Sequence, residues 1–167
     1  MRRASVVIIH GLGQGARDWA DVAARLDRDV VTVDLPALRD LSRMPDPAAS
    51  RAVLEKTRHL ACPHLVGHSY GGHLALALAS GRWRSIVLVN AVPPRGRWQA
   101  VRSMQPACII AARDDIRELA LEGVTWLDRG GHDPHRVDPA GLAAALVSWF
   151  ARVEAATGSS APPERVE

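Results

Sequence analysis

Cysteine, lysine and single-ring aromatics are scarce in this chain. Its 167 residues include two cysteines, one tyrosine and one phenylalanine, and Lys56 is the only lysine. Cys62 and Cys108 stand in unrelated contexts without metal-ligand spacing, which excludes a disulfide framework and a cysteine zinc site. Both read as small buried hydrophobes, Cys108 within an apolar strand and Cys62 just before Pro63 and another strand. Long apolar runs are also missing, so a membrane-spanning helix is excluded and no membrane partner is expected. Val6 to Ile9, after Met1-Arg2-Arg3-Ala4, is too short for a signal-peptide core and leads straight into His10 and Gly11. It reads as a first strand, and a cytoplasmic protein is expected. No basic block is present: the net charge is +3 and the pI about 9.5, but the arginines are interspersed with Asp and Glu, which argues against a nucleic-acid surface. Internal repeats and interior linkers are absent. The length suits one domain that buries a core without staples. That domain is expected over residues 1–156, with a disordered Gly-Ser-Ser-Ala-Pro-Pro tail over 157–167.

Six apolar runs rich in β-branched residues fill most of the rest: Ser5–His10, Asp29–Leu35, His64–Ser69, Arg84–Val92, Ala107–Asp115 and Val124–Gly130. Continuous Val/Ile/Leu runs, rather than strict alternation, point to strands covered on both faces. Helices are expected between them at Ala16–Asp27, Pro47–Leu60, Tyr70–Ser80 and Asp115–Glu122, and at Asp138–Ala156 after them. Asp46-Pro47 and Asp138-Pro139 each look like an N-cap followed by proline at the first helical position. Trp19, Val22, Ala23 and Leu26 form one apolar stripe, and Leu142, Leu146, Trp149 and Phe150 another. Strand–helix alternation predicts an α/β fold, a doubly wound and mainly parallel six-stranded sheet flanked by helices.

Chemistry concentrates at two glycine-rich turns. Gly67-His68-Ser69-Tyr70-Gly71 fits G-x-S-x-G, with a strand before it and a helix after it. A serine on so sharp a turn needs neighbours almost free of side chains, which Gly67 and Gly71 supply, with extra room from Gly72. The turn lifts the Ser69 hydroxyl above the sheet and points a helix N-terminus at the reacting centre. His10-Gly11-Leu12-Gly13-Gln14-Gly15 follows the first strand and can offer backbone N–H groups to an anion. Gly11, Gly13 and Ala16 loosely match a dinucleotide loop, but the acidic partner would have to be Asp34, in an ordinary Asp-Leu-Pro.

Ile8-Ile9-His10-Gly11-Leu12-Gly13, Val66-Gly67-His68-Ser69-Tyr70-Gly71-Gly72 and Gly131-His132-Asp133-Pro134-His135 resemble the three signature stretches of the α/β-hydrolase superfamily, in its order, over about residues 5–153. The resemblance implies an oxyanion hole built from the backbone N–H groups of Leu12 and Tyr70, with His10 orienting the loop.

An activated serine needs a histidine base and a carboxylate behind it. Of seven histidines, His132 follows the last strand through a flexible Arg129-Gly130-Gly131 and comes last in the order Ser, acid, His. His135 competes but lies further from the strand end. His68 points away from the reaction to support the elbow, His73 lies on the helix, and His59 and His64 read as surface or strand-end residues. No metal set is expected. The acid should end the strand that begins at Pro106, where the family's usual glycine is replaced by Ala112. Asp115 is the first candidate, Asp114 the second, and Asp128 a distant third; the other of the Asp114/Asp115 pair would cap the expected helix.

Ser69 to Asp115 spans 46 positions and Asp115 to His132 spans 17, both short for the family. Residues 91–105 cannot hold a cap with its own core. Arg95, Trp98, Val101 and Met104 there form either a small lip over Ser69 or a plain crossover helix. The expected function is serine hydrolysis of an ester, thioester or lactone, on a small-molecule or carrier-borne acyl substrate, without cofactor, by a monomer or homodimer. Two alternatives stand beside it. One uses the same triad for acyl transfer, cyclisation or lyase chemistry; the other is a non-catalytic binding protein on a trimmed hydrolase fold.

Overall fold

A computed structural model describes residues 3–36, 46–116 and 119–158, so most of the expected tail lies outside the described residues. Six parallel strands, β1 (Val6–Ile9), β2 (Val30–Val33), β3 (His64–His68), β4 (Ser85–Val89), β5 (Ala107–Ala112) and β6 (Val124–Leu127), form one sheet in the order β2-β1-β3-β4-β5-β6. The chain order reverses between β1 and β3, where Ile9 pairs with Gly67. In an open parallel sheet this reversal leaves a crevice at the carboxyl ends of the two strands, because their following connections depart to opposite faces. The glycine loop after β1 and the serine turn after β3 both open into it.

Alternate side chains of each strand go to opposite faces. Val7, Ile9, Leu65, Ile86, Leu88, Ile109 and Ala111 pack with the helices α2 (Pro47–Thr57), α3 (Tyr70–Ala77) and α4 (Arg95–Met104). Val6, Ile8, Val66, Val87, Val89, Cys108 and Ile110 face α1 (Ala20–Ala23), which a 3₁₀ turn at Ala16–Trp19 precedes, and α6 (Pro139–Gly158). Two buried faces explain the unbroken apolar runs. Among the described residues no helix is long and apolar enough to cross a membrane.

Local signals set several boundaries. Asp46 caps α2, its carboxylate accepting from Ala48 N–H at 2.7 Å. Asp34 accepts from Ala16 N–H at 2.7 Å and so tethers the start of the 3₁₀ turn. The expected first helix is shorter than its apolar stripe, since α1 ends at Ala23 while Leu26 still packs into the core. The expected helix over Asp115–Glu122 is not formed in its described residues. Leu119 and Leu121 both pack against the core, and a spacing of two suits extended rather than helical chain. Residues 91–105 carry the crossover helix α4, not a lip: Trp98 and Val101 are buried on its inner face and Trp98 Nε1 donates to Glu122 O at 3.0 Å. Burying that large ring against the sheet outweighs leaving it over an open turn. Arg95 reaches towards Ala120 O, at 3.5 Å, rather than over the serine. Cys62 is exposed, contrary to its expected burial, because it sits in a positive-φ turn (48°) before β3. Cys108 is buried, and burial pushes its thiol far up.

At the amino ends of the strands lies a second polar chain. Trp149 Nε1 donates to Ser85 Oγ at 3.1 Å, and Ser85 Oγ is 2.7 Å from His64 Nδ1. His64 Nε2 is 3.3 Å from Glu154, which also accepts from Arg28 at 2.8 Å. A neutral His64 with its proton on Nε2 gives Ser85 an acceptor and Glu154 a donor. These are the residue types of a hydrolytic triad, but His64 and Ser85 are fully buried, so the chain ties β3 and β4 to α6.

Burial lowers His64 to about 4 and His135 also to about 4. Both are below the unfolded value of about 6.5. The unfolded chain therefore binds more protons across this window, and stability is full above pH 6.5 and lost as pH falls towards 4. Each histidine contributes on the order of 3 kcal/mol to that loss. Urea unfolding at pH 7.5 and pH 4.5 is expected to show several kcal/mol less stability at the lower pH; equal midpoints would contradict it.

Candidate active site

The serine turn is built by crowding. Ser69 has φ 51° and ψ −117°, a left-handed conformation costly for a residue with a side chain. It is held on both sides, because Ser69 N–H donates to Val89 O at 3.0 Å and Gly72 N–H to Ser69 O at 2.9 Å. A Cβ on Gly67 would overlap the carbonyl of Gly71, and a Cβ on Gly71 the carbonyls of Ile9 and His10. A Cβ on Gly72 would overlap Ala91 Cβ, so this glycine too is required. Strand and helix backbones touch here, and neither can yield without moving the sheet. Gly67→Ala is expected to cost about 3 kcal/mol or more, read as a lower urea midpoint at unchanged slope; a wild-type midpoint would refute it.

His132 Nε2 lies 3.0 Å from Ser69 Oγ, and His132 Nδ1 lies 3.0 Å from Asp115 Oδ2. Serine, imidazole and carboxylate thus form one hydrogen-bonded line across the ends of β3, β5 and β6. His132 is more than half exposed and Asp115 about a quarter, so the line opens to solvent. Asp114 faces elsewhere. Its carboxylate accepts from Gly131 N–H at 2.8 Å and Gly130 N–H at 3.2 Å, and these bonds hold its carboxyl below the usual range. The two acids divide two tasks: one faces the imidazole, and the other fixes the loop that carries it. Asp128 has no place in this line. Gly131 has φ 53°, and a Cβ on Gly130 would press on Pro134 and Ala112, so both loop glycines are needed.

Two further side chains fix the His132 backbone. Buried His68 sets its Nε2 2.7 Å from His132 O, and burial lowers its pKa, so a neutral ring donates there. Asn90, at the end of β4 with φ 44°, donates from Nδ2 to Gly131 O at 2.6 Å and towards His132 O at 3.2 Å, while its Oδ1 accepts from Ala112 N–H at 2.9 Å. Sequence reasoning passed over Asn90. The available signal was that the chain's only asparagine terminates an apolar strand.

The first glycine loop lies opposite. His10, nearly buried, sets Nδ1 2.8 Å from Gly11 O and accepts from Leu35 N–H at Nε2 across 3.2 Å, tying the loop to the chain after β2. Tyr70 is the first residue of α3, where its N–H has no acceptor within the helix. Leu12 is half exposed at the loop tip, and among the described residues its N–H meets no acceptor. Tyr70's ring is buried, and burial raises its phenol pKa.

Of the remaining histidines, His135 has no hydrogen-bond partner for either ring nitrogen among the described residues. His135 is buried and stacked on Trp19 at 4.6 Å, away from Ser69. His73 and His59 are exposed. Among the described residues, His68, Asp133 and His135 bring potential ligand atoms within 4.8 Å of one another. His68 Nε2 is already engaged by His132 O, and Asp133 Oδ1 accepts from Gln14 at 2.7 Å. A metal on those two atoms would compete with both bonds.

The sequence profile described as the Alpha/beta hydrolase family matches residues 6–163. No curated protein matches the chain. Among solved structures, a haloalkane dehalogenase loop variant from Bradyrhizobium elkanii superposes with TM-score 0.72 at 12% identity, covering 93% of this chain and 91% of its own. A thermophilic esterase from Thermogutta terrifontis gives 0.70 at 13% identity, covering 91% of each chain. A membrane phospholipase A described as a bacterial virulence factor gives 0.68 at 16% identity, covering 91% of this chain and 80% of its own. At such identities these structures share the fold, and the match over nearly the whole sequence shows that this chain belongs to the alpha/beta hydrolase family.

Proposed function

We propose that this chain is a serine hydrolase acting on esters, thioesters or lactones. The observation that carries the reading is the line from Ser69 Oγ through His132 to Asp115, with both hydrogen-bond contacts at 3.0 Å. Ser69 Oγ attacks the substrate carbonyl carbon while His132 Nε2 takes its proton, and the Asp115 carboxylate stabilises the imidazolium. The carbonyl oxygen becomes an oxyanion and accepts hydrogen bonds from the N–H groups of Leu12 and Tyr70, whose helix N-terminus adds positive potential. The tetrahedral species collapses, the leaving alkoxide or thiolate takes the proton from His132, and the acyl group stays on Ser69. Water then attacks with His132 as base, releasing the acid and restoring the serine.

The exposed His132 edge leaves room for a bulky carrier on the acyl group, as well as for a small ester. A fluorophosphonate probe read by intact mass tests the proposal. One adduct on the folded protein is expected, and its absence would argue against an activated Ser69 and for a binding protein or base-only chemistry. Product analysis with an added alcohol separates hydrolysis from transfer.

A further inference from the structure

We propose that Gln14 is a positioning residue, a clasp that holds the oxyanion loop at a fixed distance from the loop carrying His132. The inference rests on the serine-hydrolase reading and concerns how its two halves stay in register. They come from opposite sides of the crevice: Leu12 from the turn after β1, and His132 from the turn after β6. Nothing in the strand pairing joins them, because β1 and β6 stand four positions apart in the sheet order β2-β1-β3-β4-β5-β6.

Gln14 makes the join with both ends of its amide. Oε1 accepts from Gly11 N–H at 3.0 Å, which fixes the loop one residue before Leu12. Nε2 donates to Asp133 Oδ1 at 2.7 Å, one residue after His132. The amide orientation follows from the partners, since a carboxylate accepts and a backbone N–H donates. His68 Nδ1 lies 3.2 Å from Oε1, and with the ring proton committed to His132 O these two acceptors oppose each other, a cost that the amide's bonds to Gly11 N–H and Asp133 offset. A longer tie runs beside the first: Arg136 reaches Asp133 at 3.6 Å and Asp18 at 2.8 Å, and Asp18 accepts from Gly15 N–H at 2.8 Å. Gly11, Gln14, Asp133, Arg136, Asp18 and Gly15 close a ring of polar contacts between the loops. Gln14 is the one member bonded both to Gly11, beside Leu12, and to the residue after His132; the buried Trp19–His135 stack joins the same segments further along each chain, beyond the loop that carries Leu12.

Catalysis is sensitive to this distance. Oxyanion donors act only when aimed at the place the developing charge will occupy, and a misplacement of about 1 Å can cost on the order of 100-fold. A loop released from Gly11 N–H keeps its Leu12 donor but not its aim. The effect should therefore fall on kcat and not on KM.

The test uses p-nitrophenyl acetate and a fluorophosphonate, with active sites titrated so that unfolded protein does not enter kcat. Gln14→Ala is expected to lower kcat and the rate of Ser69 phosphonylation by about 30-fold, with KM within about threefold. Gln14→Glu sets a second carboxylate against Asp133 and is expected to lose at least as much at pH 8. Adding Asp133→Asn restores a donor–acceptor pair of reversed polarity, so the double variant should return to within about fivefold of wild type. A residue that merely supports folding would lower Tm without that rescue. A wild-type kcat in Gln14→Ala, or a double variant no better than Gln14→Glu, would overturn the clasp. Amide exchange at Gly11 gives a readout independent of turnover and should quicken at least tenfold in Gln14→Ala; unchanged exchange also overturns the clasp. A wild-type protein that neither labels nor turns over, yet shows the faster Gly11 exchange in the variant, would sink the hydrolase reading and leave the clasp standing.

Discussion

Ser69→Ala is expected to abolish the fluorophosphonate adduct and to lower ester turnover by roughly 10⁵- to 10⁶-fold. The size of the loss follows from the site's division of labour. In the proposed mechanism His132 and Asp115 have no task once the hydroxyl at 3.0 Å from Nε2 is gone, so one substitution would remove the action of all three. The remaining activity would come from the N–H groups of Leu12 and Tyr70 and from binding alone, about 10³- to 10⁴-fold over water. Stability should barely move. Ser69 is held at φ 51° with its side chain in solvent reach, and alanine there keeps the strain without adding bulk. The urea midpoint should stay close to that of the wild type, so lost turnover cannot be assigned to unfolding. A variant that still turns over at more than about 1% of the wild-type rate, on protein purified free of contaminating esterases, would move the nucleophile elsewhere. No other serine in the described residues has a histidine beside it except Ser85, which is fully buried.

What the sequence made legible was the part fixed by local chemistry. Gly67 and Gly71 stand where strand and helix backbones collide, so their spacing alone marks the turn. The six apolar runs were readable because both faces of the sheet are covered. Less readable were features decided by distant partners. Asp114 and Asp115 are neighbours of one chemical type, and only the path of the chain after β5 decides which meets the imidazole. Trp98 sits in a segment that could have arched over the site, and it is buried because the sheet beneath offers more apolar contact. The segment after Asp115 has helical composition, yet its leucines pack at a spacing of two. Asn90 bonds to backbone groups 22 to 42 residues away, and Gln14, besides its local bond to Gly11, reaches a side chain 119 residues away; no local pattern reports those distant partners. His64 looked like a strand-end residue and is one, but its burial depends on Glu154 and Trp149 at the far end of the chain.

The neighbouring acids yield the second large effect. Asp115→Asn is expected to cut kcat by about 10⁴-fold, because an amide cannot stabilise the imidazolium and favours the wrong tautomer of His132. Asp114→Asn keeps an oxygen that can accept from Gly131 N–H, so its loss should stay near tenfold. Asp114→Ala removes both bonds to the loop and should cost more than Asp114→Asn, on the order of 100-fold, through a displaced base. The two residues should also differ in kind. With Asp115→Asn the loop remains clamped by Asp114, Asn90 and His68, so the stability and the backbone spectrum of residues 130–132 should match the wild type while turnover collapses. With Asp114→Ala the imidazole keeps its carboxylate, and the loss should instead appear together with faster amide exchange at Gly130 and Gly131. If Asp114→Asn proved the more damaging, with Asp115→Asn near the wild type, the acid would be the residue that now holds the glycines, and the contact between His132 Nδ1 and Asp115 would not carry the chemistry.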